Sequence, residues 1–123
     1  MSVFLDIKAE EYLYESEYFF MIFDRFPVSE GHILIISKAL RPDYFHLTDE
    51  EKSALPGMID KAKELIAARF TADGYNIGMN CGEAAGQTVM HFHCHVIPRY
   101  AGDMDDPRGG VRHAVAGKGY YSA

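Results

Sequence analysis

The stretch QTVMHFHCHVIPRY, residues 87–100, carries His91, His93 and His95, half of the chain's six histidines, at strict intervals of two. In an extended strand the side chains at i, i+2 and i+4 leave by one face. The three imidazoles therefore stand side by side while Phe92, Cys94 and Val96 point the opposite way. Packing alone rarely sets three polar rings in a row, since each needs hydrogen-bond partners if it is buried. The stretch reads as a sheet strand with a chemical face and an apolar face.

The segments around it supply the rest of the sheet. Residues 11–23, EYLYESEYFFMIF, are rich in Tyr, Phe and Ile and are interrupted by polar residues at 15–17, which reads as two short strands joined by a tight turn. DRFPVSEGH is a turn segment, and HILIIS after it is a short apolar run suited to a strand buried on both faces and ending near Ser37. RPDYFHLTDEE leads into the one long helical pattern, with Thr48 and Glu51 at capping-box spacing. Leu55, Ile59, Ala62, Ile66 and Phe70 recur at helical intervals and form one apolar stripe. Because that stripe keeps its phase across Pro56 and Gly57, a kinked helix is expected rather than two helices. DGYNIGMN reads as a turn followed by a strand, and GEAAGQ as a small-residue loop. Strands, one helix, then strands again, with hairpin-length links, indicate an antiparallel sheet with helical cover, an α+β fold. The tail from Ala101 to Ala123 has no clear periodicity, and an irregular surface loop is expected there.

At 123 residues the chain is the size of one domain, 1–123, with a real core. With 48% hydrophobic and 24% charged residues it is globular rather than disordered or fibrous. A net charge of -6 argues against a nucleic-acid groove and requires that any anionic substrate be held by a local cluster of donors. The opening MSVFLDIKAEEY lacks the pattern of a secretory leader, and no apolar stretch approaches the roughly 18 residues of a membrane span, so a cytoplasmic protein is expected. Cys81 and Cys94 form neither a disulfide framework nor a ligand pair and read as small buried apolar side chains.

Two chemistries suit the histidine face. Alternating imidazoles on a strand can ligate zinc, with water in the fourth position. Alternatively, one imidazole can attack phosphorus while its neighbours bind or protonate phosphate oxygens. Gly82, Gly86, Gln87 and Thr88 lie just before the histidines, where small residues let backbone amides approach an anion and neutral side chains add donors. That flank favours the phosphate reading over the metal.

HFHCHVI, residues 91–97, matches the alternating pattern of the histidine-triad (HIT) superfamily, and the chain resembles that family over about residues 3–103. FDRFPVSEGHILIISK, DGYNIGMNCGEAAGQTV and HVIPRYAGD are similar to its turn-and-strand, phosphate-loop and strand-exit segments. The resemblance implies a HIT-like sheet of about five strands under one helix, dimerising edge to edge. It also implies a nucleotide hydrolase or transferase that attacks an α-phosphate and passes through a nucleotidyl-histidine.

Residue by residue, His93 resembles the nucleophile, its second nitrogen held by a backbone carbonyl, that of His91. His95 resembles the ring on the phosphate and leaving group, and His91 and His32 resemble the partners that orient the set. Gln87, Thr88 and Asn80 resemble phosphate contacts, and Asp24 the ribose ligand, although an Asp capping the turn before Pro27 is the commoner role. Phe4, Ile7 and Ile22 are candidates for an apolar base slot. RPDYFHLTDEE and the histidine segment look like the fragile-histidine branch, which cleaves dinucleoside polyphosphates, whereas Asp24 looks like the Hint branch, which hydrolyses nucleoside phosphoramidates. A purine nucleoside phosphoramidase and, from another class, a non-catalytic nucleotide sensor are the alternatives. No structural metal and no required cofactor are implied, with Mg2+ accompanying the nucleotide left open. His113 stands where bacterial members often show Trp.

Overall fold

The computed structural model of the chain describes residues 2–121. Five strands, β1 (Tyr14–Glu15), β2 (Phe19–Phe23), β3 (Ile33–Ser37), β4 (Gly74–Gly78) and β5 (His93–Arg99), form one sheet in the order β1-β2-β3-β5-β4. Every neighbouring pair is antiparallel. The expected α+β class, strand number and single helix all hold. β3, the apolar run of Ile and Leu, is buried at every position and lies at the centre of the sheet.

The two faces of the sheet have different covers. Phe19, Met21, Ile33, Ile35, Phe92, Cys94 and Val96 pack against Leu55, Met58, Ala62 and Ile66 of the helix α1 (Asp49–Ala67). The opposite face carries Phe20, Ile22, Leu34 and Ile36, and there Phe4 and Ile7 of the N-terminal segment close over it. In β5 the alternation sends Cys94, Val96 and Pro98 inward and leaves His93, His95 and Ile97 half-buried on the face away from α1. The register sets His95 opposite Leu34 on one side and Gly78 on the other, with His93 opposite Ile36.

α1 begins at the expected capping box: Thr48 Oγ1 accepts from the Glu51 amide, and Glu51 Oε1 accepts from the Thr48 amide at 2.7 Å. Pro56 lies inside the helix without dividing it. Its missing amide costs one bond on an exposed side, where water can reach the freed carbonyl. Beyond the helix, Phe70 continues the apolar stripe and packs so closely on Gly31 that a Cβ there would meet its ring at 2.9 Å. Gly31 also has φ +90, so both conformation and space exclude other residues.

The tail, residues 101–121, consists mostly of exposed turns and bends, with a 3-10 helix at Gly110–Ala114 that contacts β4. Arg99 binds Asp103 through two 2.7 Å bonds and Asn76 through a third. That pairing holds the Asp103 carboxyl down at about 2. Farther along, His113 donates to the Arg108 carbonyl and Tyr120 to that of Asp106. At Gly109, with φ +93, a side chain would run into the Gly119 carbonyl. A strap closed by side chain-to-backbone bonds and a glycine crossing leaves no periodic trace in a sequence. Ser122 and Ala123 lie outside the described residues.

Glu51 is 2% exposed and also accepts from Arg41 Nε at 3.0 Å, so one carboxylate fastens both the helix start and the segment leading to it. Glu51→Ala is expected to lower the unfolding free energy by about 2 kcal/mol, read from urea unfolding, through the lost cap and the stranded guanidinium.

Candidate active site

His93 opens β5, and its Nδ1 lies 2.8 Å from the carbonyl oxygen of His91. A carbonyl can only accept, so Nδ1 carries the proton and Nε2 is bare. The same reasoning orders the other rings. Nδ1 of His32 takes the Val28 amide hydrogen at 3.1 Å, which forces the His32 proton onto Nε2. That N–H points at Nδ1 of His95, 3.0 Å away, leaving His95 with its own proton on Nε2. His91 gives its Nε2–H to the Ser37 carbonyl at 2.7 Å and takes the Ser2 hydroxyl proton on Nδ1, also at 2.7 Å.

The outcome is a pair of facing complements. His93 and His95 stand 5.2 Å apart, centroid to centroid. The first keeps an unspent lone pair on Nε2, the second an unspent N–H. His32, 2% exposed, and His91, fully buried, spend both nitrogens inside the protein. Burial lowers the pKa of both, opposed at His32 by the Asp24 carboxylate and at His91 by the Ser37 bond. His95 is driven down to about 4, first by burial and then by His93 and His32.

His91 differs from the strand reading of the sequence. β5 begins two residues after it, and its ring is a fully buried bracket between β3 and the N-terminal segment rather than a third member of an open face. What it offers to His93 is its backbone carbonyl. Phe4 stands edge-on to both rings, 5.5 Å from His91 and 5.0 Å from His93. With Ile7 and Ile22 it joins Phe20, Leu34 and Ile36 in one buried cluster beside the histidines, so the three candidates for the base slot do come together.

Gln87 is a correction. Its amide nitrogen donates to the carbonyls of Pro42 at 2.6 Å and Val89 at 3.0 Å, and its Oε1 accepts from the Gly82 amide at 2.8 Å. Both N–H groups are spent and the residue is 3% exposed, so the side chain staples the loop and has no donor left for a phosphate. The amides of Ala85, Gly86 and Gln87 likewise bond within the loop. Thr88 is exposed, on the wall of a concavity of about 330 Å³ shared with Ser2, Val3, Leu40, Val89 and Met90. Asn80 is exposed two residues past Gly78, the register partner of His95.

Asp24 plays the commoner role and more. Oδ1 accepts from the Phe26 amide at 2.9 Å, capping the turn before Pro27, while Oδ2 lies 3.5 Å from His32 Nε2. Among the described residues, Asp24, His32 and His95 are the group close enough to share a metal ion, with ligand atoms within 4.8 Å. The donor set does not fit one. A neutral His32 bound through Nε2 would need its proton on Nδ1, facing the Val28 amide hydrogen, whereas metal-bound histidines present that second N–H to an acceptor. Cys94 is buried, its thiol pushed up to about 12, and Cys81 is half-buried; both are free.

Sequence reasoning did not find Ser2, whose partner lies 89 residues away, nor the Val28 amide or the Ser37 and Pro42 carbonyls. Backbone partners carry no residue-type signal. Two measurements follow from the geometry. Gln87→Ala removes three bonds to partly buried backbone groups, so it is expected to cost about 2 kcal/mol in a denaturant titration and to speed amide exchange across the loop. The unfolded chain protonates His32, His91 and His95 near pH 6.5, while the folded rings resist the proton. Their contribution to stability is thus complete above that pH and drains as pH falls below it, for His95 down to about 4, at up to ~1.4 kcal/mol per ring and pH unit, and thermal melts between about pH 7.5 and about pH 5 should show it.

Residues 7–102 match the family profile described as HIT domain. The chain is 38% identical over 80 residues to the asymmetrical bis(5'-nucleosyl)-tetraphosphatase of Schizosaccharomyces pombe, covering 65% of this chain and 44% of that protein. It is 32% identical over 100 residues to the bis(5'-adenosyl)-triphosphatase of Dictyostelium discoideum, covering 81% and 67%. The crystal structure of a HIT family member from Bacillus subtilis superposes with a TM-score of 0.73 at 29% identity, over 99% of this chain and 79% of that one. The chain spans only part of several relatives, down to 23% of one fusion protein. By the profile match across most of its length and the shared five-stranded fold, the chain belongs to the HIT family.

Proposed function

We propose that the protein is a nucleotide hydrolase or transferase that cleaves dinucleoside polyphosphates at an α-phosphate, with His93 as nucleophile. The observation that carries this reading is the direction of the hydrogen bond from His93 Nδ1 to the His91 carbonyl, which leaves Nε2 bare. The Nε2 lone pair attacks phosphorus, the P–O bond to the departing phosphate breaks, and its electron pair leaves with that group. Water then attacks the nucleotidyl-histidine and gives up a proton to solvent, the N–P bond breaks with its electron pair returning to Nε2, and the nucleotide leaves. His95 donates its Nε2–H to the phosphate, with His32 holding its tautomer. Thr88 and Asn80, exposed beside the site, serve as neutral donors, and Asp24 accepts from the ribose hydroxyls. Phe4, Ile7 and Ile22 form the wall against the base. Mg2+ enters with the nucleotide if at all, and a second copy of the chain pairs edge to edge along β4, an end strand of the sheet.

The choice between anhydride and phosphoramidate rests on His95. A departing phosphate leaves as an anion and needs little proton donation, whereas a departing amine must be protonated. Burial, with His93 and His32 beside it, holds His95 down to about 4 and so favours its neutral form. A neutral hydrogen-bond donor there suits the anhydride, in keeping with the activities for which the yeast and slime-mould relatives are named.

Purified protein and His93→Ala should be incubated with a dinucleoside polyphosphate and with a nucleoside phosphoramidate, and acid-quenched samples weighed intact. Wild type is expected to turn over the polyphosphate faster and to carry one nucleotide mass, while His93→Ala falls by at least about 10³-fold and carries none. Faster phosphoramidate turnover would move the assignment to the phosphoramidase branch. Nucleotide binding without turnover would make the protein a sensor.

A further inference from the structure

The histidine site reaches beyond the stretch that matches the family, into the N-terminal segment. Ser2 is 7% exposed, and its Oγ accepts the Phe4 amide hydrogen at 3.2 Å. Its own proton is thus free for Nδ1 of His91, 2.7 Å away. We propose that Ser2 is a positioning residue: its hydroxyl locks the buried His91 ring, and through it the His91 peptide, so that the carbonyl meets the Nδ1 proton of His93.

The links run in series. With Nε2 bonded to the Ser37 carbonyl and Nδ1 to Ser2, the His91 ring is fastened at both ends and cannot flip. The adjoining backbone is fastened too, by His91 N–H to the Val89 carbonyl at 2.8 Å and Phe92 N–H to that of Arg41 at 2.6 Å. The carbonyl between these two amides is the one that sets the His93 tautomer. Phe4, two residues from Ser2, shields the same contacts by standing edge-on to both rings. Remove the hydroxyl, and a buried imidazole nitrogen has a lone pair with no protein donor. The ring then gains by tilting toward solvent, which loosens the carbonyl that His93 depends on. A bare Nδ1 on His93, with the proton moved to Nε2, cannot attack.

The kinetic part rests on the function proposed above; the placement of the rings does not. Wild type, Ser2→Ala, Ser2→Thr and His93→Ala should be compared for polyphosphate hydrolysis and, without substrate, by imidazole 15N spectra at neutral pH. Ser2→Ala is expected to lower kcat about tenfold with KM within about twofold, and to convert the His93 signal from a single Nδ1–H form to a mixture of tautomers. Ser2→Thr, which keeps the hydroxyl, should restore both. A Ser2→Ala protein with wild-type kcat and an unchanged His93 spectrum would overturn the proposal, as would equal impairment of the Ala and Thr variants. If wild type proves as inactive as His93→Ala, the hydrolase reading fails while the spectra still decide the role of Ser2.

Discussion

The antiparallel register of β3 against β5 sets every distance in the histidine site. Leu34 faces His95 and Ile36 faces His93, so the residue before β3, His32, falls beside His95, and the last residue of β3, Ser37, falls beside His91. One strand thus holds the cluster from both ends. A slip of one residue would turn His93 and His95 toward α1 and expose Cys94 and Val96 instead. The slip is blocked by what already fills the helix side: β3 is buried at all five positions, and Phe92, Cys94 and Val96 are almost wholly excluded from water. The apolar core therefore fixes the chemistry of the opposite face.

Much of this was legible in the residues because it follows from period and spacing. The two-residue interval of the histidines gave the face of His93 and His95, the Ile-rich run at 33–36 gave a strand buried on both sides, and Thr48 with Glu51 gave the helix start. The illegible parts have no period. His91 sits before the strand begins, so alternation does not govern its ring. Gln87 looked like a phosphate donor because it is polar and adjoins glycines, but its three bonds go to backbone groups, one of them on Pro42, which only the fold brings near. The order of the tail comes from a glycine crossing and isolated side chain-to-carbonyl bonds.

The overall field of an acidic chain offers no help to an anion, and the buried rings of the histidine site favour their neutral forms. His32, His91 and His95 all have lowered pKa values, with burial the largest cause in each. Charged rings here would repel one another and would be poorly hydrated. Neutral rings with assigned tautomers instead offer directed dipoles, which bind without the desolvation cost of a buried cation.

Direction matters as much as charge, and in this cluster it cannot reverse. The Val28 amide can only donate, so Nδ1 of His32 must accept and its Nε2 must carry the proton. If the proton between His32 and His95 moved to His95, His32 would be left as an imidazolate, a state far outside the range of a neutral-pH protein. The His32–His95 link therefore works as a fixed orienting bond and not as a proton wire. It follows that His95, whose Nδ1 is taken by the His32 N–H, has its Nε2–H to give as a hydrogen bond rather than as a transferred proton, and burial with the neighbouring rings holds its cationic form down at about 4. Under the proposed mechanism a ring so held would stabilise a departing anion through the hydrogen bond from its Nε2–H.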